Sequence, residues 1–328
     1  MADTGRRHGP TPVIIDCDPG IDDAVALGVA LNSPEVEVLA VTTVSGNSPL
    51  PVTTANALRV LNLLGGGDVL VAPGASRPLV HRRHHNRISP HGANGVGGVS
   101  LPTETRPPVG IHAVDLMARL LLERPAGSVT LVALGPLTNV ALLFGLHPEV
   151  CSRLARIVFM GGSLGVGNIT PVAEFNVWTD PEAAHRVIVD SDVDVTLVGL
   201  NVTTRATVDE DILAVLERSS DAGGVLSSMI RGYRDRRATG WAMHDVLALG
   251  AVVDPAVIAT TTATVEIDTS HGHGCGQTIY AQEELWDHYA MADPGSPPRG
   301  KRITLATDLD VDRFRDLFVA RLATAPDD

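Results

Sequence analysis

Strand-like and helix-like segments alternate along the first two-thirds of the chain, and this alternation constrains the fold more than any other feature. Short runs of Val, Ile and Leu, typical of buried strands, fall near residues 12–16, 35–44, 128–133, 156–160 and 193–198. Apolar residues at helical spacing fall near residues 22–32, 51–64, 111–123, 137–146 and 181–190. Such alternation is typical of βαβ units. The sequence therefore predicts an α/β fold with an open, mostly parallel, Rossmann-like sheet flanked by helices.

The remainder of the chain predicts additions to that sheet. Residues 209–254 show mainly helical periodicity, and the residues after them predict short strands and a closing helix over 310–323. Residues 74–110, which are rich in Gly, Pro and His, predict a long active-site loop, and residues 283–300 predict a surface insertion. Because no repeat or long linker divides the chain, we predict a single large domain over residues 1–328 with a helical C-terminal part.

Composition excludes several classes of partner. The formal net charge of −13 argues against a nucleic-acid partner. No stretch reaches 18 uninterrupted apolar residues, and the polar N-terminus lacks a signal-peptide core, so we expect no membrane segment. Cys17, Cys151 and Cys275 are odd in number and lack metal-pair spacing, which favours reduced thiols. We therefore expect a cytoplasmic protein that acts on a small molecule.

Four aspartates crowd into the turn between the first predicted strand and the first predicted helix, in IIDCDPGIDDAVAL at residues 14–27. Asp16, Asp18, Asp22 and Asp23 repel one another unless something compensates their charge. Stabilisation at a helix N-terminus, worth about 0.3–1 kcal/mol, accounts for one or two of them. Carboxylate oxygens suit a hard cation, Ca²⁺ or Mg²⁺. The turn therefore predicts a cation site.

Polar clusters follow three further predicted strands, at residues 45–47, 135–139 and 161–168. In open α/β sheets the ligand binds outside the carboxyl ends of the strands. These segments and the aspartate turn therefore predict a small-molecule site at one edge of the sheet.

The stretch DCDPGIDDAVAL resembles the N-terminal signature of the nucleoside hydrolases, the family that cleaves the N-glycosidic bond of ribonucleosides. Similar stretches follow in the order that the family shows: SGN ending at Asn47, LVALGPLTNVAL at 131–142, FMGG at 159–162, NITPVAEFN at 168–176, HDVLAL at 244–249 and ATDLDVDRF at 306–314. The resemblance extends over nearly the whole chain. It implies hydrolysis of ribonucleosides to ribose and free base, and a homodimer or homotetramer.

The resemblance also implies the catalytic residues. A Ca²⁺ ion would be held by Asp18, Asp23, Asp245 and the backbone carbonyl of Leu134. Asp22 would be the general base toward a metal-activated water, and His244 the acid that protonates the departing base. Asp16 would have a structural role.

Substrate-binding residues follow from the same resemblance. They are Asn47, Asn168, Glu174, Phe175, Asn176, His91, Met160, Trp241 and Tyr233. HGANG at 91–95 resembles the base-side segment of the inosine–uridine-preferring branch, whereas a purine branch would stack the base on tryptophans and lack the histidine before Asp245. We therefore expect an inosine/uridine-type or non-specific enzyme that leans toward pyrimidines.

Two other functions stay open at this point. A ribose- or riboside-binding protein without turnover would need neither Asp22 nor His244. A haloacid-dehalogenase-like, Mg²⁺-dependent phosphatase shares Asp-x-Asp after its first strand, but Pro19-Gly20 and the single late Lys301 depart from its pattern. We expect no second metal in SHGHGCG at 270–276, which contains His271, His273 and Cys275.

Overall fold

A nine-stranded sheet runs through the centre of the molecule. The structure, a computed structural model, describes residues 9–80, 89–103, 106–281 and 300–323. The strands are β1 (Thr11–Cys17), β2 (Val36–Thr43), β3 (Leu70–Pro73), β4 (Val129–Ala133), β5 (Leu154–Met160), β6 (Val195–Val198), β7 (Thr207–Val208), β8 (Arg236–Arg237), β9 (Gly240–Ala242), β10 (Ile258–Ile267), β11 (Thr278–Ala281) and β12 (Lys301–Leu309).

The order across the large sheet is β11-β10-β12-β6-β5-β4-β1-β2-β3. Strand β10 pairs antiparallel with β11 and β12, and the other pairings in this sheet are parallel. The predicted mostly parallel α/β sheet is therefore confirmed. Strand β1 lies between β4 and β2, third from the β3 edge, so its carboxyl end is flanked by parallel strands on both sides.

Helices cover both faces of the sheet. They are α1 (Ile21–Leu31), α2 (Leu50–Leu63), α3 (Ala113–Glu123), α4 (Thr138–Leu146), α5 (Phe175–Thr179), α6 (Pro181–Ile188), α7 (Leu200–Thr203), α8 (Glu210–Ser219), α9 (Asp221–Arg231), α10 (His244–Val253) and α11 (Val311–Leu322). Within β1, Val13 and Ile15 pack into the core that contains α1 and α10, whereas Ile14 packs into the core that contains α3, α4 and α6. A strand buried on both faces reads as a continuous apolar run, which explains the signal in the sequence.

Helices α1 and α10 lie deep in one of these cores. All ten residues from Ile21 to Ala30 are buried, as are all ten of α10, and the two helices pack against each other. Their first turns carry the acidic residues Asp22, Asp23 and Asp245. The fold therefore brings two helix N-termini to the carboxyl end of β1.

The predicted elements of the first two-thirds are present with small shifts at their ends, but two features were missed. Strand β3 is short, lies at the sheet edge and ends in Pro73. The helical prediction for 209–254 is wrong at β8 and β9, which form a second sheet of order β7-β9-β8. Gly240 permits this sheet because its φ is +128° and a Cβ there would lie 2.0 Å from the carbonyl oxygen of Val208. Strands of two or three residues are too short to show periodicity.

Two predicted segments fall partly outside the described residues. Of the loop at 74–110, residues 81–88 and 104–105 are not described, and the remainder contains no helix or strand. Residues 282–299, nearly all of the predicted insertion, also lie outside the described part, so the insertion stays a prediction. Over the described ranges, no helix is long and apolar enough to cross a membrane.

Candidate active site

Buried carboxylates meet where β1 ends and α1 and α10 begin. Asp18 directly follows β1, Asp22 and Asp23 lie in the first turn of α1, and Asp245 lies in the first turn of α10. Each is at most 4% exposed. Negative charge at a helix N-terminus is stabilised by the helix dipole, which partly offsets the repulsion among these groups.

Three of these carboxylates converge closely enough to hold a metal ion. One oxygen from each of Asp22, Asp23 and Asp245 lies within 4.8 Å of the others, the one such group of acidic, His and Cys side chains found among the described residues. Asp18 is outside this group of three but contacts it, because its backbone N–H donates to Asp23 Oδ1 at 3.2 Å. The structure thus assembles the predicted acidic ligands and adds Asp22, which was predicted as a base.

The Asp18 carboxylate sits in a narrow cradle made by two glycines. A Cβ at Gly46 would lie 2.0 Å from Asp18 Oδ2, and one at Gly135 would lie 2.7 Å from Asp18 Oδ1. The backbone N–H of Asn47 donates to Oδ2, whereas Oδ1 is buried without a hydrogen-bond partner in the described structure. Asp22 Oδ1 is likewise buried without one. Unpartnered buried carboxylate oxygens fit a site that a cation completes.

Burial and mutual repulsion disfavour the ionised forms of this cluster. Burial, followed by the charge of Asp23, raises the pKa of Asp22 to about 7. Burial, followed by the charges of Asp22 and Asp23, raises the pKa of Asp245 well above its usual range, and burial also raises the pKa of Asp18. A divalent cation among them would reverse this effect.

Asp16 joins the strands beneath the cluster. Its Oδ1 accepts hydrogen bonds from Thr42 Oγ1 at 2.6 Å and from Asn139 Nδ2 at 2.8 Å. Asn139 Nδ2 also donates to the carbonyl oxygen of Thr43, and Asn139 Oδ1 accepts from the N–H of Ala75. Asp16 therefore ties β1 to β2 and to the start of α4, the structural role expected for it.

The predicted sugar-binding amides line the same edge and already have partners in the protein. Asn47 Nδ2 lies 3.4 Å from Asp23 Oδ2. Asn176 Nδ2 donates to the carbonyl oxygens of Leu134 at 2.7 Å and Met160 at 3.0 Å, so the predicted metal-ligating carbonyl is also an acceptor for Asn176.

Glu174 holds the start of the helix that carries Asn176. Its carboxylate accepts from the N–H groups of Gly162, Asn176 and Val177. Asn168, which is exposed, accepts from the N–H of the half-buried Phe175 through Oδ1. These contacts order the loop and fix the start of α5.

His91, in the loop between β3 and α3, packs against the first turn of α1. Its Nδ1 accepts from the N–H of Ile21 at 3.0 Å and lies 3.8 Å from Asp22 Oδ1, and its ring stacks on Tyr233 with centroids 4.8 Å apart. The Tyr233 hydroxyl lies 3.5 Å from Asp22 Oδ2. Burial, together with the charge of His244, lowers the pKa of His91 to about 3, so the ring is neutral. Because Nδ1 accepts, Nε2 carries its proton.

His244 is bonded at both ring nitrogens. Nδ1 lies 2.7 Å from Thr203 Oγ1, and Nε2 lies 3.0 Å from Asp235 Oδ2. Sequence reasoning missed Thr203 and Asp235, because neither stands in a motif and Asp235 reads as one acid in an arginine-rich loop. The predicted base-binding Trp241 is buried in β9, with the guanidinium of Arg236 4.7 Å from its ring centroid.

The chain is similar to known proteins over nearly its whole length. The sequence profile of the family described as inosine-uridine preferring nucleoside hydrolase matches residues 13–316. The chain is 40% identical over 322 residues to the pyrimidine-specific ribonucleoside hydrolase RihA of Klebsiella pneumoniae, covering 95% of this chain and 98% of that protein. It is 39% identical over 321 residues to RihA of Salmonella paratyphi C, with the same coverage.

Solved structures show the same fold. A plant nucleoside hydrolase, PpNRh1, superposes with a TM-score of 0.88 at 33% identity, covering 96% of this chain and 100% of that one. A purine-preferring ribonucleoside hydrolase from Gardnerella vaginalis superposes with a TM-score of 0.85 at 30% identity, covering 95% and 98%. The chain therefore belongs to the inosine-uridine preferring nucleoside hydrolase family, and it is a ribonucleoside hydrolase that cleaves the N-glycosidic bond.

Proposed function

We propose that this enzyme hydrolyses pyrimidine ribonucleosides to ribose and free base in a calcium-dependent reaction. The observation that carries the proposal is the group of buried carboxylates at the N-termini of α1 and α10, with His91, Tyr233 and His244 around it. The proposed preference for pyrimidines is supported by relatives that are named pyrimidine-specific. They are 38–40% identical to this chain over nearly their full length. Family membership rules out the phosphatase alternative.

The donor set suits a hard cation. Asp18, Asp23 and Asp245 offer anionic oxygens and Leu134 a neutral carbonyl oxygen, and Asp22 is close enough to join them. Mixed anionic and neutral oxygens at a high coordination number favour Ca²⁺ over Mg²⁺, which demands six ligands in a strict octahedron. When bound, the ion would orient the ribose hydroxyls and acidify a water molecule.

Asp22 is our candidate for the general base. Its Oδ1 is buried, has no hydrogen-bond partner among the described residues and lies beside Asp23 and Asp245. A buried carboxylate oxygen without a partner is free to accept a proton from a water molecule bound beside it. Asp18 is the alternative, because its Oδ1 is equally buried and unpartnered over the same part of the chain.

The remaining residues would hold the two halves of the substrate. Cleavage builds positive charge on the ribose, which nearby carboxylates stabilise. Asn47, Asn168, Glu174 and Asn176 are proposed to bind the ribose. His91, Met160, Phe175, Tyr233 and Trp241 are proposed to bind the base, and His244 to protonate it as it leaves. His91 would offer its Nε2–H as a donor, a geometry suited to a carbonyl oxygen of a pyrimidine.

The test is release of ribose from uridine, cytidine, inosine and adenosine in phosphate-free buffer, with and without a calcium chelator. We expect faster release from uridine and cytidine, and loss of release on chelation that added Ca²⁺ restores. Equal rates on all four would indicate a non-specific enzyme, and full activity in chelator would contradict the calcium requirement. Tight Ca²⁺ binding without any release would indicate a riboside-binding protein.

Assembly and location are proposed separately. We propose a homodimer or homotetramer in the cytoplasm, in line with the resemblance that the sequence shows. Sedimentation equilibrium of the purified chain measures the assembly directly, and a mass equal to one chain of 34.4 kDa would contradict it.

A further inference from the structure

The ring of His244 is held between a threonine and an aspartate. The hydroxyl of Thr203, a residue with no exposed surface, lies 2.7 Å from Nδ1. The carboxylate of Asp235 lies 3.0 Å from Nε2. Because a carboxylate only accepts, Nε2 must carry the proton, and in the neutral ring the Thr203 hydroxyl donates to Nδ1. Two anchors on opposite sides of an imidazole fix the rotation of its plane.

Asp235 is itself bound by residues of the second sheet. Arg237 Nε lies 2.8 Å from Asp235 Oδ1, and Arg237 Nη2 donates to Oδ2 at 3.0 Å, a two-point contact. The carbonyl oxygen of Asp235 accepts from the N–H of Ala242, which lies in β9 just before α10. The hairpin that was missed in the sequence therefore places the Asp235 carboxylate opposite the first residue of α10.

The charge of Asp235 is compatible with accepting a hydrogen bond from His244. Burial acts to raise the pKa of Asp235, but the hydrogen bond and charge of His244, together with Arg237, outweigh it and the pKa lies below its usual value. The carboxylate side chain is 21% exposed and His244 is 5% exposed, so the pair lies at the boundary between solvent and the buried site. The charge of Asp235 also contributes, after burial and the charge of Asp23, to raising the pKa of Asp22.

We propose that Asp235 is a positioning residue for His244, which fixes the imidazole so that its protonated Nε2 is presented to the departing base. The proposal rests on the proposed function, in which His244 gives one proton to the base. Before transfer the imidazolium donates Nδ1–H to Thr203 and Nε2–H to Asp235; as the base departs, the Nε2–H bond to Asp235 breaks and the proton goes to the base, while Thr203 continues to accept from Nδ1–H. Transfer of the Nε2 proton to a ring atom of the base leaves a neutral imidazole.

The experiment compares Asp235→Ala, Asp235→Asn and a control, Asp254→Asn. Asp254 makes a similar two-point contact with Arg313, without a histidine. Each variant is assayed with uridine and with p-nitrophenyl riboside, whose leaving group needs no proton. We expect Asp235→Ala to lower kcat for uridine by about 10- to 100-fold and to change KM little. The loss is smaller than the roughly 10²- to 10⁴-fold that general acid catalysis supplies, because His244 itself is still present. Turnover of p-nitrophenyl riboside should change little.

Asp235→Asn should recover part of the loss, because its amide oxygen still accepts from Nε2. In ¹⁵N-histidine spectra, Asp235→Ala should remove the slowly exchanging Nε2–H signal of His244, and Asp254→Asn should keep it. Equal losses on both substrates, or unchanged uridine turnover in Asp235→Ala, would overturn the positioning role while leaving the hydrolase intact. If the wild-type enzyme releases no ribose from any nucleoside, the proposed function fails and the positioning role fails with it.

Discussion

At the scale of single residues, the site consists of carboxylates whose charged forms are disfavoured by burial. Asp16, Asp18, Asp22, Asp23 and Asp245 are all buried, and burial raises the pKa of each. An uncompensated buried charge costs several kcal/mol, so such a cluster persists in a protein when a bound ion or a reaction uses it. We therefore expect the chemistry of this enzyme to depend on these carboxylates, with their repulsion offset by a bound cation.

Replacing Asp22 by Asn removes the proposed proton acceptor and leaves the shape of the side chain unchanged. We expect kcat to fall by about 10²- to 10⁴-fold, the usual contribution of a general base, while ribose still binds. Steady-state kinetics and calorimetric titration with ribose measure the two effects. Asp18→Asn is the comparison, and unchanged turnover in Asp22→Asn with a large loss in Asp18→Asn would transfer the role to Asp18.

His91 should make the folded protein sensitive to acid. Its pKa is about 3 in the folded state, below the ordinary value of 6.5, so below pH 6.5 the unfolded chain binds the extra proton and the folded protein does not. Stability contributed by His91 is therefore lost as pH falls from about 6.5 toward 3, by about 2 kcal/mol at pH 5, since each pKa unit is worth about 1.4 kcal/mol.

The comparison of wild type with His91→Gln isolates this effect from the carboxylates, whose raised pKa values act in the opposite direction. Denaturant unfolding at pH 7 and pH 5 measures both proteins. The variant should gain about 2 kcal/mol relative to wild type between these pH values. A difference that does not change with pH would show that His91 is protonated in the folded state.

At the scale of elements, the site depends on the turns after parallel strands and on two buried helices. The turn after β1 and the loop after β2 meet because these strands are parallel neighbours, and Asn47 reaches Asp18 from the second of them. Small residues are needed where these turns cross. Gly46 is one of them, because its Cα faces the Asp18 carboxylate.

Gly46→Ala should disturb the metal site more than the fold. The new Cβ would lie 2.0 Å from Asp18 Oδ2, so the carboxylate must rotate away. We expect Ca²⁺ affinity to fall by about 10- to 100-fold, as for other changes that misorient a ligand, with a loss of about 1–3 kcal/mol in the free energy of unfolding. Gly67→Ala, where a Cβ meets nothing within 4 Å, is the control. If calcium titration of Gly46→Ala gave the wild-type affinity, the close approach of Gly46 would not be what orients the Asp18 carboxylate.

At the scale of the whole molecule, the cation should link both buried helices and so stabilise the entire fold. A ligand that binds only the folded state, present at about 100 times its Kd, adds about 2.7 kcal/mol to the free energy of unfolding. We expect Ca²⁺ to raise Tm, a chelator to reverse the rise, and Mg²⁺ at equal concentration to produce a smaller one. Calorimetry of wild type and Asp245→Asn measures this, and an equal rise in both proteins would place the ion elsewhere.

The sequence by itself determined the α/β class, the order of the main strands and helices, and the family, because buried parallel strands and the aspartate turn leave local patterns. It also named the carboxylates, since Asp16 to Asp23 lie together along the chain. Only the tertiary structure decided which groups meet across long separations. The resemblance already implied Asp245 beside Asp18 and Asp23, but it did not show that His91 docks on Ile21 or that Asp235 holds His244 from a hairpin too short to show periodicity. Such contacts depend on packing between distant segments, and packing leaves no periodic signal in the sequence.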